Sequence, residues 1–235
     1  MRRARGALLA AACLTPAWPA AADIMLSGGP APARVAVTSY RDMPYRSVVR
    51  QHYDFSCGSA ALATLLRHHY GVAVDEAQVF RAMYEAGDRA VIEKVGFSLL
   101  DMQAYLAARG VKADGYRMTL DELAAARAPA IVMMDTAGYR HFVVLKGVRD
   151  DRVLIGDPAL GLKVYSRAAF TAQWNGVVFM VHEPAVRFDV AGDWSPRPRG
   201  PADAALTSRS LAELTRELPP LYQVTTRFSL DPWLQ

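Results

Sequence analysis

Cysteine is nearly absent from this sequence, with two in 235 residues. One of them, Cys13, lies in the N-terminal stretch. If residues 1–22 are a removed export signal, Cys57 stands alone in the mature chain. A lone cysteine makes no internal disulfide, so it is either an inert core thiol or a nucleophile. An excess of charge of one sign is also missing. Lys and Arg total 27 against 23 Asp and Glu, and removing the three arginines of residues 1–22 leaves 24 against 23, a balance of +1. That gives no basic footprint for nucleic acid. Past the N-terminal stretch no apolar run reaches the ~18 residues of a membrane span. No transmembrane anchor is therefore expected. There is no glycine-rich phosphate loop, and Gly156 and Gly161 read as turn residues. Neither an internal repeat nor a low-complexity tract is present.

What is present begins with Arg2, Arg3 and Arg5, an apolar run from Gly6 to Leu14, and Ala20-Ala21-Ala22 before Asp23. Basic region, short apolar region and small residues make a secretory signal. The product is expected to be exported, to the periplasm. Lipoprotein processing at Cys13 is the weaker reading, because Ala10 stands where a larger aliphatic is usual. The 235 residues, 52% hydrophobic, suffice for one well-buried domain. Residues 23–46 read as a flexible N-terminal segment with a short extended stretch, and 47–183 as the core. Pro184, Pro196, Pro198 and Pro201 mark residues 184–235 as a proline-containing extension, with one helix at 208–218.

Within the core, helices come first. One starts at Cys57, with Ala60, Ala61, Thr64 and Leu65 on one face and Gly71 to end it. Asp75, Ser98 and Thr119 are caps for three more, running to about Glu85, Arg109 and Ala126. From Ala130 the pattern turns to strands: 131–135, 141–148, 152–156, 162–165 and 177–181, with a hairpin turn at Asp150-Asp151 and a short helix from Arg167 to Trp174. Helices followed by an antiparallel sheet predict an α+β fold.

Four polar positions carry the chemistry. Cys57 opens a helix, where unpaired N–H groups and the helix dipole lower a thiol pKa, and Gly58 leaves the approach to it open. His141 opens an apolar strand and is placed to take the thiol proton and return it to a leaving amine. Asp157, before Pro158, closes the strand that pairs with that of His141 and is placed to orient the imidazole. Gln51, six residues before Cys57, offers an amide N–H to an oxyanion, with the Cys57 backbone N–H beside it. Each has a bland counterpart: a core cysteine, a structural histidine, a turn aspartate, a loop glutamine. His68 and His69 match no metal spacing and read as an exposed helix end. His52, next to Gln51, borders the expected cleft, and His182 reads as structural.

Taken together, Gln51, Cys57-Gly58, His141 before an apolar strand and Asp157-Pro158 resemble the C39 peptidases. Those are papain-like cysteine proteases, best known as N-terminal domains of bacteriocin-exporting ABC transporters. The resemblance covers about residues 47–182. It implies a papain-like fold, with Cys57 as nucleophile, His141 as general base, Asp157 as orienter and Gln51 as oxyanion donor. The family usually has an acid directly before the cysteine, where this chain has Ser56. The reaction implied is peptide cleavage through a thioester, with no cofactor. The substrate is expected to be a peptide or protein, since stand-alone exported members resemble those found with bacterial fibre or amyloid secretion systems. The same thioester passed to an amine or thiol would make an acyltransferase or transpeptidase. A non-catalytic docking domain is the third reading, and loss of the nucleophile would mark it.

Overall fold

The computed structural model describes residues 22–26, 33–136 and 138–197. The expected signal peptide (apart from Ala22), Cys13 and the helix at 208–218 lie outside the described residues. Residues up to Asp42 and those from Met43 onward form two separate units. The first contains an antiparallel strand pair, β1 (Ala22–Leu26) and β2 (Ala33–Val37). Strand β2 falls on the short extended stretch expected in this segment, while its pairing with β1 was not foreseen. Ile24-Met25-Leu26 and Val35-Ala36-Val37 are rich in strand-forming residues, and pairing gives each a partner.

The second unit opens with four helices, α1 (Cys57–His69), α2 (Glu76–Ala86), α3 (Arg89–Val95) and α4 (Leu99–Ala107). The caps act as the sequence suggests. Asp75 with Gln78 and Ser98 with Asp101 form reciprocal capping boxes, as do Thr119 and Glu122 ahead of α5 (Leu120–Ala126). Helix α3 was not expected. Asp88 caps it, but its seven residues bury only Ile92, too little for a periodic signal.

The six remaining strands are β3 (Ala113–Arg117), β4 (Ala130–Thr136), β5 (Tyr139–Arg149), β6 (Arg152–Asp157), β7 (Gly161–Ser166) and β8 (Trp174–Val181), with α6 (Arg167–Thr171) before the last. They form one sheet in the order β3-β8-β4-β5-β6-β7, with every neighbouring pair antiparallel. The fold is thus α+β. Both faces of the sheet are covered. Ile131, Phe142 and Val144 pack with the side chains of α1 to α4, whereas Val132, Val143 and Leu145 pack with Leu123 of α5 and Phe170 of α6. A strand buried on both faces reads as a continuous apolar run, which is why Phe142 to Leu145 show no alternation.

Helix α1 is buried from Cys57 through Leu66, because it lies between the sheet and the other helices. Truncating Leu62 or Leu65, both fully buried, to alanine would cost about 2–5 kcal/mol. The close packing reaches the first turn. A Cβ on Gly58 would stand 2.9 Å from Met102 Cε and 3.0 Å from Phe97 Cβ. Gly58 therefore admits α4 and Phe97 to the helix, and does not serve to open a path to the thiol as the sequence suggested.

The segment after β8 folds back over the end of α1. The backbone N–H groups of Val186 and Arg187 donate to the His69 carbonyl at 2.8 and 3.2 Å, and His69 Nδ1 donates to the Arg187 carbonyl at 2.7 Å. His69 is thereby 1% exposed, which corrects the reading of an exposed helix end. Its Nε2 accepts from Lys146 Nζ at 3.0 Å. Lys146 also donates to the Ser47 carbonyl at 3.0 Å and pairs with Asp193 at 3.4 Å. Burial and the Lys146 charge push the His69 pKa down to about 3.

Candidate active site

The β5–β6 hairpin sets the centre of the site. Its turn holds Asp150 at φ 45°, and the register pairs Val144 with Gly156. Continued by one residue, that register puts Asp157 opposite Val143. Asp157 is then a diagonal neighbour of His141 on the same face. The side chains meet: His141 Nε2 and Asp157 Oδ2 are 3.1 Å apart, with His141 8% and Asp157 2% exposed. The second carboxylate oxygen accepts from the backbone N–H of Ala159 at 2.8 Å and of Leu160 at 3.2 Å. Asp157 is thus a turn-forming residue through one oxygen and an imidazole partner through the other. The turn expected of this residue is present, and the same carboxylate also meets the imidazole.

With Asp157 on Nε2, the other ring nitrogen of His141 is left over. Nδ1 is buried and has no hydrogen-bond partner. A carboxylate accepts only, so Nε2 carries the proton and Nδ1 presents a lone pair. A buried polar atom without a partner is costly unless it has a use.

Cys57 is 9% exposed and, among the described residues, is the free cysteine of the chain. Burial pushes its thiol above the usual range. The backbone N–H groups of Phe142, Gly58 and Cys57 itself oppose this, and the nearby Asp157 charge adds to it. The helix-start argument predicted an acidic, accessible thiol. The structure points the other way, because desolvation outweighs the N–H groups at the sulfur. The Phe142 N–H, one residue from His141, reaches the sulfur region, so β5 runs beside the first turn of α1 next to His141. A cleft of about 320 Å³ opens there, lined by Cys57, Asp54, Phe55, Gly96, Phe97 and Tyr139 among others.

Gln51 lies on the loop before α1. Its backbone N–H donates to the Pro158 carbonyl at 3.1 Å, tying this loop to the Asp157 turn. Its Nε2 donates to the Tyr53 carbonyl at 3.1 Å, while its Oε1 is buried without a partner. Ser56 stands where an acid was expected. It is fully buried, and its hydroxyl closes the turn from Tyr53 by donating to the Tyr53 carbonyl and accepting from the Tyr53 N–H. His52 pairs with the buried carboxylate of Glu76 at 2.5 Å. His182 pairs with Asp114 at 2.8 Å, away from the cleft. Among the described residues no group of three or more His, Cys, Asp or Glu is placed to hold a metal. The sequence reading missed Tyr139, Gly96 and Phe97 as cleft residues. Tyr139 lies two positions before His141, a spacing that puts the two on one face of a strand.

A helix-start thiol set against an antiparallel sheet that carries an imidazole and a carboxylate is the architecture of a cysteine-type peptidase. Residues 46–185 match the peptidase C39 family, and the chain belongs to that family. It is 42% identical over 166 residues to a "Probable functional amyloid protease FapD" of Pseudomonas fluorescens, covering 71% of this chain and 74% of that protein. It is 44% identical over 145 residues to the protein of the same name from Pseudomonas aeruginosa, covering 62% of this chain and 64% of that one. A solved double glycine motif protease from an AMS/PCAT transporter, in complex with the leader peptide, aligns at 26% identity and TM-score 0.48. That alignment covers 57% of this chain and 89% of the other. The protein is a cysteine peptidase, and no helix among the described residues is long and apolar enough to cross a membrane.

Proposed function

We propose that this peptidase works through a Cys57–His141–Asp157 triad after export, and that its substrate is a secreted, fibre-forming protein. The observation that carries the triad is the unpartnered Nδ1 of His141. It is the one nitrogen of that ring left to take a proton, and the backbone N–H of Phe142, the next residue, lies close to the Cys57 sulfur.

The steps follow from the atoms. Cys57 Sγ attacks the scissile carbonyl carbon as its proton passes to His141 Nδ1. Asp157 Oδ2 holds the Nε2–H and stabilises the imidazolium. The oxyanion is met by the Cys57 backbone N–H and by the Gln51 amide hydrogen not used by Tyr53. Collapse expels the amine, which takes the proton from Nδ1 and leaves an acyl thioester on Sγ. Water, deprotonated by His141, then releases the acid and restores the thiol. With burial holding its pKa up, Cys57 starts as the thiol, so its proton leaves as the carbonyl is attacked.

The substrate class rests on the two amyloid-protease relatives, and export on the N-terminal signal. The test is to mix the purified protein with secreted proteins encoded beside its gene, with and without a competing amine, and to read product masses. Cleavage at one bond, lost in Cys57→Ala, is the expected result. An amide product with the amine would make the enzyme a transferase, and no Cys57-dependent product from any fibre-forming candidate would remove the substrate assignment. For export, Asp23 is the expected N-terminus of the protein recovered from the periplasm.

A further inference from the structure

Tyr139 has no part in the steps above, yet it touches both halves of the site. Its ring stacks on that of His141, with centroids 5.4 Å apart and planes 25° from parallel. Its hydroxyl donates to the Asp54 carbonyl at 3.4 Å, across the cleft on the loop that leads into Cys57. It lines the Cys57 cleft while remaining 53% exposed. Half of this side chain stands in water, so its place is at the mouth of the cleft and not in the core.

We propose that Tyr139 is a positioning residue that covers the His141 imidazole, fixes its plane and keeps water from the Cys57–His141 pair. Asp157 grips the imidazole at Nε2 alone, an atom close to the axis of the Cβ–Cγ bond, so that single contact resists turning of the ring about Cβ–Cγ only weakly. A stacked ring removes that freedom. The hydroxyl reaches the Asp54 carbonyl on the nucleophile loop at 3.4 Å, a long contact that leads the ring across the cleft without fixing it. The same ring helps to exclude water from a thiol whose pKa burial holds up. The bond to Asp54 is long and exposed, so substrate can break it at small cost.

This inference rests on the triad reading, and two substrate-independent probes separate the two. With p-nitrophenyl acetate, the burst reports acylation of Cys57 and the steady state reports deacylation by His141. With iodoacetamide, the alkylation rate against pH reports the thiol. Tyr139→Ala should lower the steady-state rate by roughly 10- to 100-fold, the scale of a displaced catalytic group. Its alkylation curve should move to lower pH, because water then reaches the sulfur. Tyr139→Phe, which keeps the ring, should restore the rate to within a few-fold of the parent. A ring that was merely structural would lower Tm and slow both probes together in Tyr139→Ala, and that result would overturn the proposal. So would an unchanged steady-state rate in Tyr139→Ala while Cys57→Ala is inert. If Cys57→Ala kept both activities, the triad reading would fall and this inference with it.

Discussion

Replacing Asp157 by asparagine should abolish most of the turnover while leaving the fold intact, for a reason specific to this turn. The carboxylate divides its work: one oxygen accepts from the N–H groups of Ala159 and Leu160, the other faces His141 Nε2. In the asparagine variant the amide oxygen stays with the two backbone donors, so the NH₂ group faces His141. Two donors cannot face each other, and Nε2 must become the acceptor. The ring proton moves to Nδ1, which can then no longer take the Cys57 proton. Turning the amide over would restore the tautomer. It would also leave the Ala159 and Leu160 N–H groups unpaired, at about 1–3 kcal/mol each. The total of about 2–6 kcal/mol disfavours the productive orientation by roughly 30-fold to 10⁴-fold. The same tautomer error in a serine triad costs about 10⁴ in kcat. We therefore expect kcat to fall by about 10²–10⁴, with Tm near that of the parent. Steady-state release of p-nitrophenol, with circular dichroism as the folding control, measures both. A folded Asp157→Asn protein within tenfold of the parent rate would refute the tautomer argument and remove Asp157 from the mechanism.

Three other outcomes follow from the same geometry. Gln51→Ala should lower kcat by about 10²–10³ with little change in KM, and Gln51→Glu should do no better; a raised KM at unchanged kcat would make Gln51 a substrate-binding residue. Iodoacetamide should alkylate Cys57 slowly at neutral pH, with the rate rising only above the ordinary thiol range near ~8.5, since burial holds the thiol up; a plateau at lower pH would show a resting thiolate instead. His69, with its folded pKa depressed to about 3 below an unfolded value near ~6.5, contributes stability that is fully present above the unfolded value. Urea denaturation should show that stability lost as pH falls from about 6.5 to about 3, by up to ~1.4 kcal/mol per unit. A His69→Gln protein with the same acid slope would refute this.

The parts of the fold that were legible in the sequence are those fixed within a few residues. Asp75, Ser98 and Thr119 announce their helices because a cap and its N–H partners lie within one turn. The β5–β6 hairpin is legible because Asp150 and Asp151 join two apolar runs. Strand β3 was missed because Ala-Asp-Gly-Tyr-Arg has little strand character of its own. Pairing with β8, from Ala113↔Val181 to Arg117↔Val177, makes it a strand. His69 was misjudged for the same reason: Arg187, far along the chain, covers it. At the candidate site, Cys57, His141, Asp157 and Gln51 were weak signals one by one and stood out only as a set. The thiol's true environment was not legible, since its burial comes from Phe97, Phe142 and the helices around α1. Tyr139 gave no signal, because an exposed tyrosine near a strand end is ordinary until its neighbours are known.

The fold-back of the chain after β8 has a consequence for where this folding unit ends. The family match stops at residue 185, yet Arg187, Asp189 and Asp193 all lie beyond it. A protein cut at 185 would retain Cys57, His141 and Asp157. It would also leave Lys146, 2% exposed, without its carboxylate partner, and Arg149 without the Asp189 that holds it at 2.9 Å. The cut would also remove the hydrogen bonds of Val186 and Arg187 to His69 and let water reach the buried Lys146–His69 pair. The uncovered end would be that of α1, whose first residue is Cys57. Cutting near residue 197 instead keeps every one of these partners, so the two truncations should differ in soluble yield although neither touches the cleft.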